Sequence, residues 1–303
     1  MTLDEAERRA FAEEGYLVVP GALTRAACAE INAHFSGLIA RVAGEHARGE
    51  RDYPGFWAAL RRSAHALGVL LDPAAEPAAL PVGAWEGATV RVGHGLHRAD
   101  ARLGALCRSG AIGGALAALV PEPGRLVQSA LVYKQPRSEA AQFGFHQDSW
   151  YLTAEPDTLV LAFLALDDMD QENGCLEVIP GSHREGLATR LVLGDAGFVP
   201  LGRGRGFGGA AGLVPAKPPS VERGLPSAPR PERARRLEVE QGTLILAHGR
   251  TWHGSGPNRS ERPRRALIVH AIGGGSRMQA TSWIQPPEEG FTSVETYAAI
   301  SSC

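Results

Sequence analysis

The sequence predicts a mainly β protein with additional α-helices, folded as a sandwich or barrel around one large core. From Leu126 onward the chain is a succession of short β-type runs separated by turn residues, which is typical of such folds. The residues before Leu126 carry apolar side chains at helical spacing. The chain has 303 residues, 44% of them hydrophobic and 21% charged, which is enough material for a sizeable core. Because no internal repeat or linker divides it, we expect one domain over 1–303.

The helices are predicted from apolar residues that recur at intervals of three and four. Gly15 ends the first helix. Thr24 is a suitable N-cap for the second, because its hydroxyl oxygen can accept a hydrogen bond from a free backbone N–H. The predicted helices are Asp4–Glu14, Arg25 to about Val42, Phe56–Leu71 and Leu103–Leu119.

The strands are predicted from runs rich in β-branched and aromatic residues. Asn173-Gly174 indicates a two-residue hairpin turn, because a type I′ turn needs positive φ at both central positions. We therefore expect the runs Leu159–Asp167 and Cys175–Ile179, on either side of it, to be antiparallel neighbours. The predicted strands are Tyr16–Val19, Leu126–Lys134, Gly144–Leu152, Thr158–Leu166, Cys175–Ile179, Leu237–Val239, Thr243–Ala247 and Ala266–Ala271.

One stretch, 199–236, is rich in proline, glycine and arginine and has almost no periodic pattern. It is too long for an ordinary connection within a compact domain. We expect it to be a flexible insertion or a lid.

Charge and cysteine content limit the partners and the compartment. Thirty-one Lys and Arg against thirty-three Asp and Glu give a net charge of −2, so no strong field attracts nucleic acid or an anionic membrane. We expect a small-molecule substrate. The four cysteines are scattered, the N-terminus has no secretory pattern, and no run of 18 apolar residues occurs. These features predict a cytoplasmic protein.

Two of the ten histidines and one carboxylate suggest a metal site. His146 and Asp148 are two residues apart in a predicted strand, so both would project to one face. A further ligand, His253 or its rival His248, would complete the two-histidine, one-carboxylate set that holds non-haem Fe(II) and leaves positions open. Four other histidines are interpreted as hydrogen-bonded core or turn residues: His34, His46, His65 and His270.

Arg264 and Arg265 begin the strand that follows this region. A guanidinium one strand away from the metal could bind the distal carboxylate of a dicarboxylate co-substrate through two parallel hydrogen bonds. Only one of the two can point inward. The run Ala266–Val269 is apolar on both faces and does not distinguish them.

Several motifs occur in order along the chain. They are Phe11-x3-Gly15-Tyr-Leu-Val-Val-Pro20, Val92-Gly-His94, Val127-Gln-Ser129, Tyr133-Lys-Gln-Pro136, His146-Gln-Asp148, Glu172-Asn-Gly-Cys-Leu-Glu-Val-Ile-Pro-Gly-Ser-His183, and His253-Gly-Ser-Gly-Pro-Asn258 with Arg264. In this combination the sequence resembles the phytanoyl-CoA dioxygenase family of Fe(II)/2-oxoglutarate oxygenases, in particular its short domain-containing branch. The resemblance covers roughly residues 8–285 except 199–236. It implies a double-stranded β-helix (jelly-roll, cupin-like) core buttressed by the N-terminal helices.

The resemblance also implies a ligand set. His146, Asp148 and His253 would bind the iron, so the rival histidine is set aside. Arg264 and Ser255 would bind the distal C5 carboxylate of 2-oxoglutarate.

Other positions would line the same pocket. Arg91 stands where a lysine that contacts the co-substrate is usual, and Phe163 where a tryptophan is common. Ala130 stands where a larger side chain is frequent. Gln128 and Lys134 share its strand face and are candidates for the lining, although Lys134 could equally be an exposed strand end.

The implied reaction consumes O2 and 2-oxoglutarate, releases succinate and CO2, and hydroxylates an unactivated C–H bond of a small molecule. Desaturation or ring closure would use the same ligands. Related halogenases lack the carboxylate ligand, so Asp148 argues against halogenation. Two alternatives stay open: a non-catalytic jelly-roll that binds a metal or metabolite, and a cupin-type metalloenzyme independent of 2-oxoglutarate. The complete ligand set argues against the first, and Arg264 against the second.

Overall fold

A computed structural model describes residues 2–108, 110–138, 142–188 and 229–294, together with the backbone of 191–194 and 197–200. Its α-helices are α1 (Glu5–Glu14), α2 (Arg25–Ala47), α3 (Phe56–Arg62), α4 (Trp85–Ala88), α5 (Leu96–Ala99), α6 (Ala101–Arg108) and α7 (Gly110–Leu119). Its strands are β1 (Tyr16–Val19), β2 (Leu67–Leu71), β3 (Thr89–His94), β4 (Arg125–Lys134), β5 (Phe143–His146), β6 (Ala154–Glu155), β7 (Val160–Ala165), β8 (Leu176–Val178), β9 (Leu191–Gly194), β10 (Gly197–Pro200), β11 (Arg235–Leu237), β12 (Leu244–His248), β13 (His253–Ser255), β14 (Arg264–Ile272), β15 (Arg277–Met278) and β16 (Thr292–Ser293).

The first two helices form where the sequence predicts them. Asp4 and Glu7 make a capping box at the start of α1, in which each side chain accepts the other's backbone N–H at 2.8 Å. Gly15 ends α1 with φ at 76°. Thr24 caps α2 by accepting the N–H of Ala27. In the described part of the chain, no helix is long and apolar enough to cross a membrane.

The prediction of one helix over Phe56–Leu71 is wrong in its second half. Helix α3 ends at Arg62, and β2 follows as the edge strand that pairs with β3. Short apolar runs fit a helix or a strand equally well, and here pairing with β3 at the edge of the sheet favours the strand. The helix predicted over Leu103–Leu119 is two helices, α6 and α7.

Two antiparallel sheets form the β core. The larger sheet has eight strands in the order β1-β12-β7-β14-β4-β3-β2, with β16 also paired to β4. The smaller sheet has four strands in the order β11-β8-β13-β5. Two further pairs, β9 with β10 and β6 with β15, lie outside these sheets.

The expected hairpin at Asn173-Gly174 is wrong. Strand β7 lies between β12 and β14 in the larger sheet, whereas β8 lies between β11 and β13 in the smaller one. Gly174 has φ at 76°, but Asn173 is not among the residues with positive φ. Instead, the Asn173 side chain accepts the N–H of Asp170 at 2.9 Å and donates to the carbonyl of Asp168 at 2.7 Å. The turn therefore carries the chain from one sheet to the other.

The faces of the larger sheet contact different layers. Along β14, Leu267 and Val269 belong to the core shared with α2, α6 and α7. Ala266 and Ile268 belong to a second core shared with the smaller sheet. Both faces are buried, which explains why the sequence of β14 shows no polar alternation.

The region around 199–236 is described only at its ends. Residues 201–228 lie outside the described part of the chain, so the expected insertion or lid is not described there. At the two ends, β10 includes Val199 and pairs with β9, and β11 begins at Arg235 and pairs with β8.

Candidate active site

A cavity between the two sheets contains the predicted site. Its empty volume is about 660 Å³, counted out to its open mouth. Eight of the residues considered for the site line it: Arg91, Gln128, His146, Asp148, Phe163, His253, Ser255 and Arg264. Ala130 and Lys134, which share the strand face of Gln128, do not. The other lining residues are Leu60, His94, Val132, Phe143, Tyr151, Leu161, Leu176, Gly254, Ile268, His270 and Trp283.

Three potential metal ligands meet at one point of the cavity wall. His146 ends β5 and His253 begins β13, and the two are register partners in the smaller sheet. Asp148 lies on a short 3₁₀ turn, Asp148–Trp150, rather than on the strand predicted over Gly144–Leu152. The ligand atoms of the three side chains lie within 4.8 Å of one another, and all three residues are buried.

Backbone carbonyls orient both imidazoles. Nδ1 of His146 lies 2.8 Å from the carbonyl of Gly144, and Nδ1 of His253 lies 2.9 Å from that of Thr251. Because a carbonyl only accepts, each Nδ1 carries the proton and each Nε2 keeps its lone pair. Each Nε2 lies 3.6 Å from a carboxylate oxygen of Asp148.

The electrostatics favour the protonation states that bind metal. Burial lowers the pKa of His253 to about 4, so this imidazole is neutral at pH 7. Burial opposes the charge on Asp148, but the neighbouring His253 and His270 hold the pKa of its carboxyl well below the usual range. Two imidazoles and one carboxylate are a donor set that fits Fe(II).

Two neighbours orient the Asp148 carboxylate. The Tyr151 hydroxyl donates to its Oδ1, and Nε2 of His270 lies 3.0 Å from its Oδ2. His270 is buried and hydrogen-bonded, as interpreted, but its partner is a candidate metal ligand. The sequence could have indicated that His270 faces the cavity, because it lies six residues after Arg264 and therefore on the same face of β14.

We expect His270→Ala to raise the dissociation constant for Fe(II) by about 10- to 100-fold. This is the usual effect of losing a side chain that hydrogen-bonds to a metal ligand. His34→Ala is a matched control, because His34 also bonds an aspartate, Asp100, at 3.0 Å, but outside the cavity. Anaerobic equilibrium dialysis with Fe(II) measures both variants. Equal Fe(II) affinities in the two variants would contradict this role of His270.

Arg264 is the arginine that enters the cavity. It is 1% exposed, and its Nε and Nη2 donate to the carbonyl of Gly174 at 3.1 and 2.7 Å. Nη1 of Arg264 is buried with no partner among the described residues. Burial lowers the pKa of Arg264 to about 10, so it stays cationic at pH 7. Arg265 projects to the other face, where it pairs with Asp167 at 2.7 Å.

Gly174 is required at this contact. Its φ of +76° suits glycine, and a Cβ would lie 2.5 Å from the carbonyl oxygen of Gly256 and 3.0 Å from Nζ of Lys134. The turn mistaken for a hairpin thus presents the carbonyl that holds the Arg264 guanidinium.

A second buried guanidinium, that of Arg91, lines another wall. Its Nη1 lies 3.0 Å from Nε2 of His94, whose Nδ1 lies 2.7 Å from the hydroxyl of Ser63. Nε of Arg91 and Oε1 of Gln128 are buried with no partner among the described residues. Burial lowers the pKa of Arg91 to about 10. The cavity therefore offers unsatisfied polar groups at fixed positions.

Comparisons with known proteins identify the family. A family model described as Phytanoyl-CoA dioxygenase (PhyH) matches residues 11–266. "Phytanoyl-CoA dioxygenase domain-containing protein 1" from Bos taurus is 33% identical over 201 residues, covering 66% of this chain and 62% of the relative. The counterpart from Mus musculus is 31% identical with the same coverage. The chain thus matches less than two thirds of the length of these relatives.

Solved structures show the same fold. The non-haem α-ketoglutarate-dependent carbocyclase SnoK from nogalamycin biosynthesis aligns with a TM-score of 0.57 and 18% identity, covering 91% of this chain and 87% of SnoK. EvdO2 from Micromonospora carbonacea var. aurantiaca, complexed with 2-oxoglutarate, aligns with a TM-score of 0.51 and 18% identity, covering 92% and 94%. The predicted fold, a jelly-roll core buttressed by helices, is confirmed. The match over residues 11–266 shows that the chain belongs to the phytanoyl-CoA dioxygenase family.

Proposed function

We propose that this chain is an Fe(II)- and 2-oxoglutarate-dependent dioxygenase that hydroxylates an unactivated C–H bond of a small molecule. One observation carries the proposal: a buried two-histidine, one-carboxylate set and a buried, partly unpartnered guanidinium line the same cavity. The first fits a metal with open coordination positions, and the second fits a carboxylate.

The metal would be held by Nε2 of His146, Nε2 of His253 and a carboxylate oxygen of Asp148. When bound, Fe(II) supplies the activation of O2 that is coupled to the oxidative decarboxylation of 2-oxoglutarate. The chain supplies the preset imidazole tautomers and, through Tyr151 and His270, the orientation of the carboxylate. The presence of Asp148 favours hydroxylation over halogenation.

The co-substrate would be held at its two ends. Arg264 and Ser255 would bind the distal carboxylate, and the ring of Phe163 would form the wall beside Arg264, whose guanidinium carbon lies 5.7 Å from the ring centroid. Arg91 and Gln128 would contact the remainder of the co-substrate. The two buried guanidinium groups make the cavity more favourable for a dicarboxylate such as 2-oxoglutarate than for a neutral ligand.

The rest of the cavity would hold the substrate. Its wall is mainly apolar, with Leu60, Val132, Leu161, Ile268 and Trp283 around the polar groups. Such a wall excludes water from the reacting centre and accommodates the hydrocarbon part of a small molecule.

A second reaction class, ring closure or epimerisation, is the alternative outcome at this site. It is favoured by the similarity to SnoK, described as a carbocyclase, and to SnoN, described as an epimerase and solved with Fe³⁺, α-ketoglutarate and nogalamycin RO. The same metal ligands serve both reactions. Analysis of the product formed from the substrate therefore distinguishes hydroxylation from ring closure or epimerisation.

The proposal is tested by incubating the protein with Fe(II), 2-oxoglutarate, O2 and a panel of small molecules. We expect succinate and CO2 in equal amounts, formed only with iron and faster with a true substrate. If Fe(II) and 2-oxoglutarate bind but no succinate forms with any compound, the non-catalytic binding protein is favoured. If Fe(II) binds without 2-oxoglutarate, the metalloenzyme independent of 2-oxoglutarate is favoured.

A further inference from the structure

Lys134, the last residue of β4, is a buried basic side chain directly behind the cavity wall. It is 0% exposed and does not line the cavity itself. Its Nζ donates to the hydroxyl oxygen of Ser255 at 2.8 Å and to the carbonyl of Gly256. The sequence left open whether this lysine is an exposed strand end, and the structure excludes that possibility.

Lys134 and Arg264 are register partners on adjacent strands. Among the described residues, no carboxylate lies within ion-pair distance of either. Burial, followed by repulsion from Arg264, lowers the pKa of Lys134 well below its usual value. Two buried cations side by side repel each other, and an anion bound beside Lys134 and Arg264 would relieve that repulsion.

The Ser255 hydroxyl connects this pair to the cavity. Its oxygen has two lone pairs and one proton. The lone pairs face Nζ of Lys134 at 2.8 Å and Nη2 of Arg264 at 3.3 Å. Ser255 lines the cavity and donates to no acceptor among the described residues. Its proton is therefore directed toward a ligand in the cavity.

We propose that Lys134 is a positioning residue for the distal carboxylate of the co-substrate: it holds the Ser255 hydroxyl so that its proton is donated into the cavity. This proposal rests on the proposed function. In this arrangement Arg264 and Ser255 contact the distal carboxylate. Lys134 does not contact the carboxylate and acts by holding the Ser255 hydroxyl.

The test uses Lys134→Met, Ser255→Ala and the double variant, each loaded with Fe(II) under anaerobic conditions. Two keto acids are titrated, and the visible band of the iron-chelated acid reports binding. 2-Oxoglutarate has the distal carboxylate, whereas 2-oxopentanoate has a methyl group in its place. We expect Lys134→Met to raise the dissociation constant for 2-oxoglutarate about 10-fold, the usual effect of losing a hydrogen bond in a charged network, and to leave that for 2-oxopentanoate unchanged.

The double variant separates an indirect role from a direct one. If Lys134 acts through Ser255, adding Lys134→Met to Ser255→Ala should change the 2-oxoglutarate affinity by less than about twofold. Lys134→Gln keeps an N–H donor, although it is one bond closer to Cα, and should lose less than about threefold in 2-oxoglutarate affinity. If Lys134→Met does not fold, Lys134→Leu replaces it in the comparison with Ser255→Ala.

Three results would overturn the positioning role. They are an unchanged affinity for 2-oxoglutarate in Lys134→Met, an equal loss for both keto acids, and an undiminished loss in the Ser255→Ala background. Any of these leaves the proposed function intact, because the wild-type protein still binds 2-oxoglutarate. If the wild-type protein with Fe(II) bound does not bind 2-oxoglutarate, the positioning role and the proposed function are both wrong.

Discussion

Asp148→Ala should abolish succinate formation and weaken Fe(II) binding by more than about 100-fold. This loss exceeds that expected for His270→Ala, which removes only a hydrogen-bond partner of Asp148. The substitution removes the carboxylate that lies 3.6 Å from Nε2 of both His146 and His253. Only two imidazoles would remain in a buried site, with no negative charge to offset the metal dication. Anaerobic dialysis with Fe(II) and a succinate assay measure the two effects.

Asp168→Ala is the matched control for this variant. Asp168 carries the same side chain but lies near the surface, where it pairs with Arg25 at 2.7 Å. We expect wild-type Fe(II) affinity and wild-type succinate formation from Asp168→Ala. Unchanged iron binding and turnover in Asp148→Ala would contradict the assigned ligand set.

Arg264→Ala should raise the dissociation constant for 2-oxoglutarate by about 100-fold or more, as expected when one partner of a buried charged contact is truncated. Fe(II) affinity should stay close to that of the wild-type protein, because Arg264 contacts none of the three metal ligands. The affinity for 2-oxopentanoate, which has no distal carboxylate, should also change little. Anaerobic titration of the visible band measures each value.

Arg265→Ala is a close control for this variant. Arg265 is the next residue of the same strand, and it contacts Asp167 and the ring of Tyr133 on the opposite face of the sheet. Its loss should lower stability modestly while 2-oxoglutarate binds as in the wild-type protein. A similar loss of 2-oxoglutarate affinity in both variants would indicate general disturbance of β14 instead of a carboxylate contact.

Much of the site was predictable because its residues lie in short motifs whose order along the chain is characteristic. The His146 and Asp148 pair, His253 and Arg264 were each ambiguous alone. Together they indicated one cavity, and all four line it. Periodicity could not show whether Arg264 or Arg265 points into the cavity. One face of β14 packs on helices and the other on the smaller sheet, so both faces are apolar.

The errors have physical causes as well. Asn173-Gly174 was predicted to form a hairpin from local turn chemistry, but only Gly174 of the pair takes positive φ, and β7 and β8 lie in different sheets. Strand β13, which holds His253, was not among the predicted strands because it has only three residues. His270 was interpreted only as a hydrogen-bonded core or turn residue. Its contact with Asp148 joins residues 122 positions apart in the chain, and no local pattern indicates such a contact.

We expect the one cavity to bind Fe(II) and 2-oxoglutarate together. Anaerobic titration of the Fe(II)-loaded protein with 2-oxoglutarate tests it most directly. We predict the weak visible charge-transfer band of a keto acid chelated to ferrous iron, saturating at one 2-oxoglutarate per iron. Iron binding without such a band at any 2-oxoglutarate concentration would contradict the account.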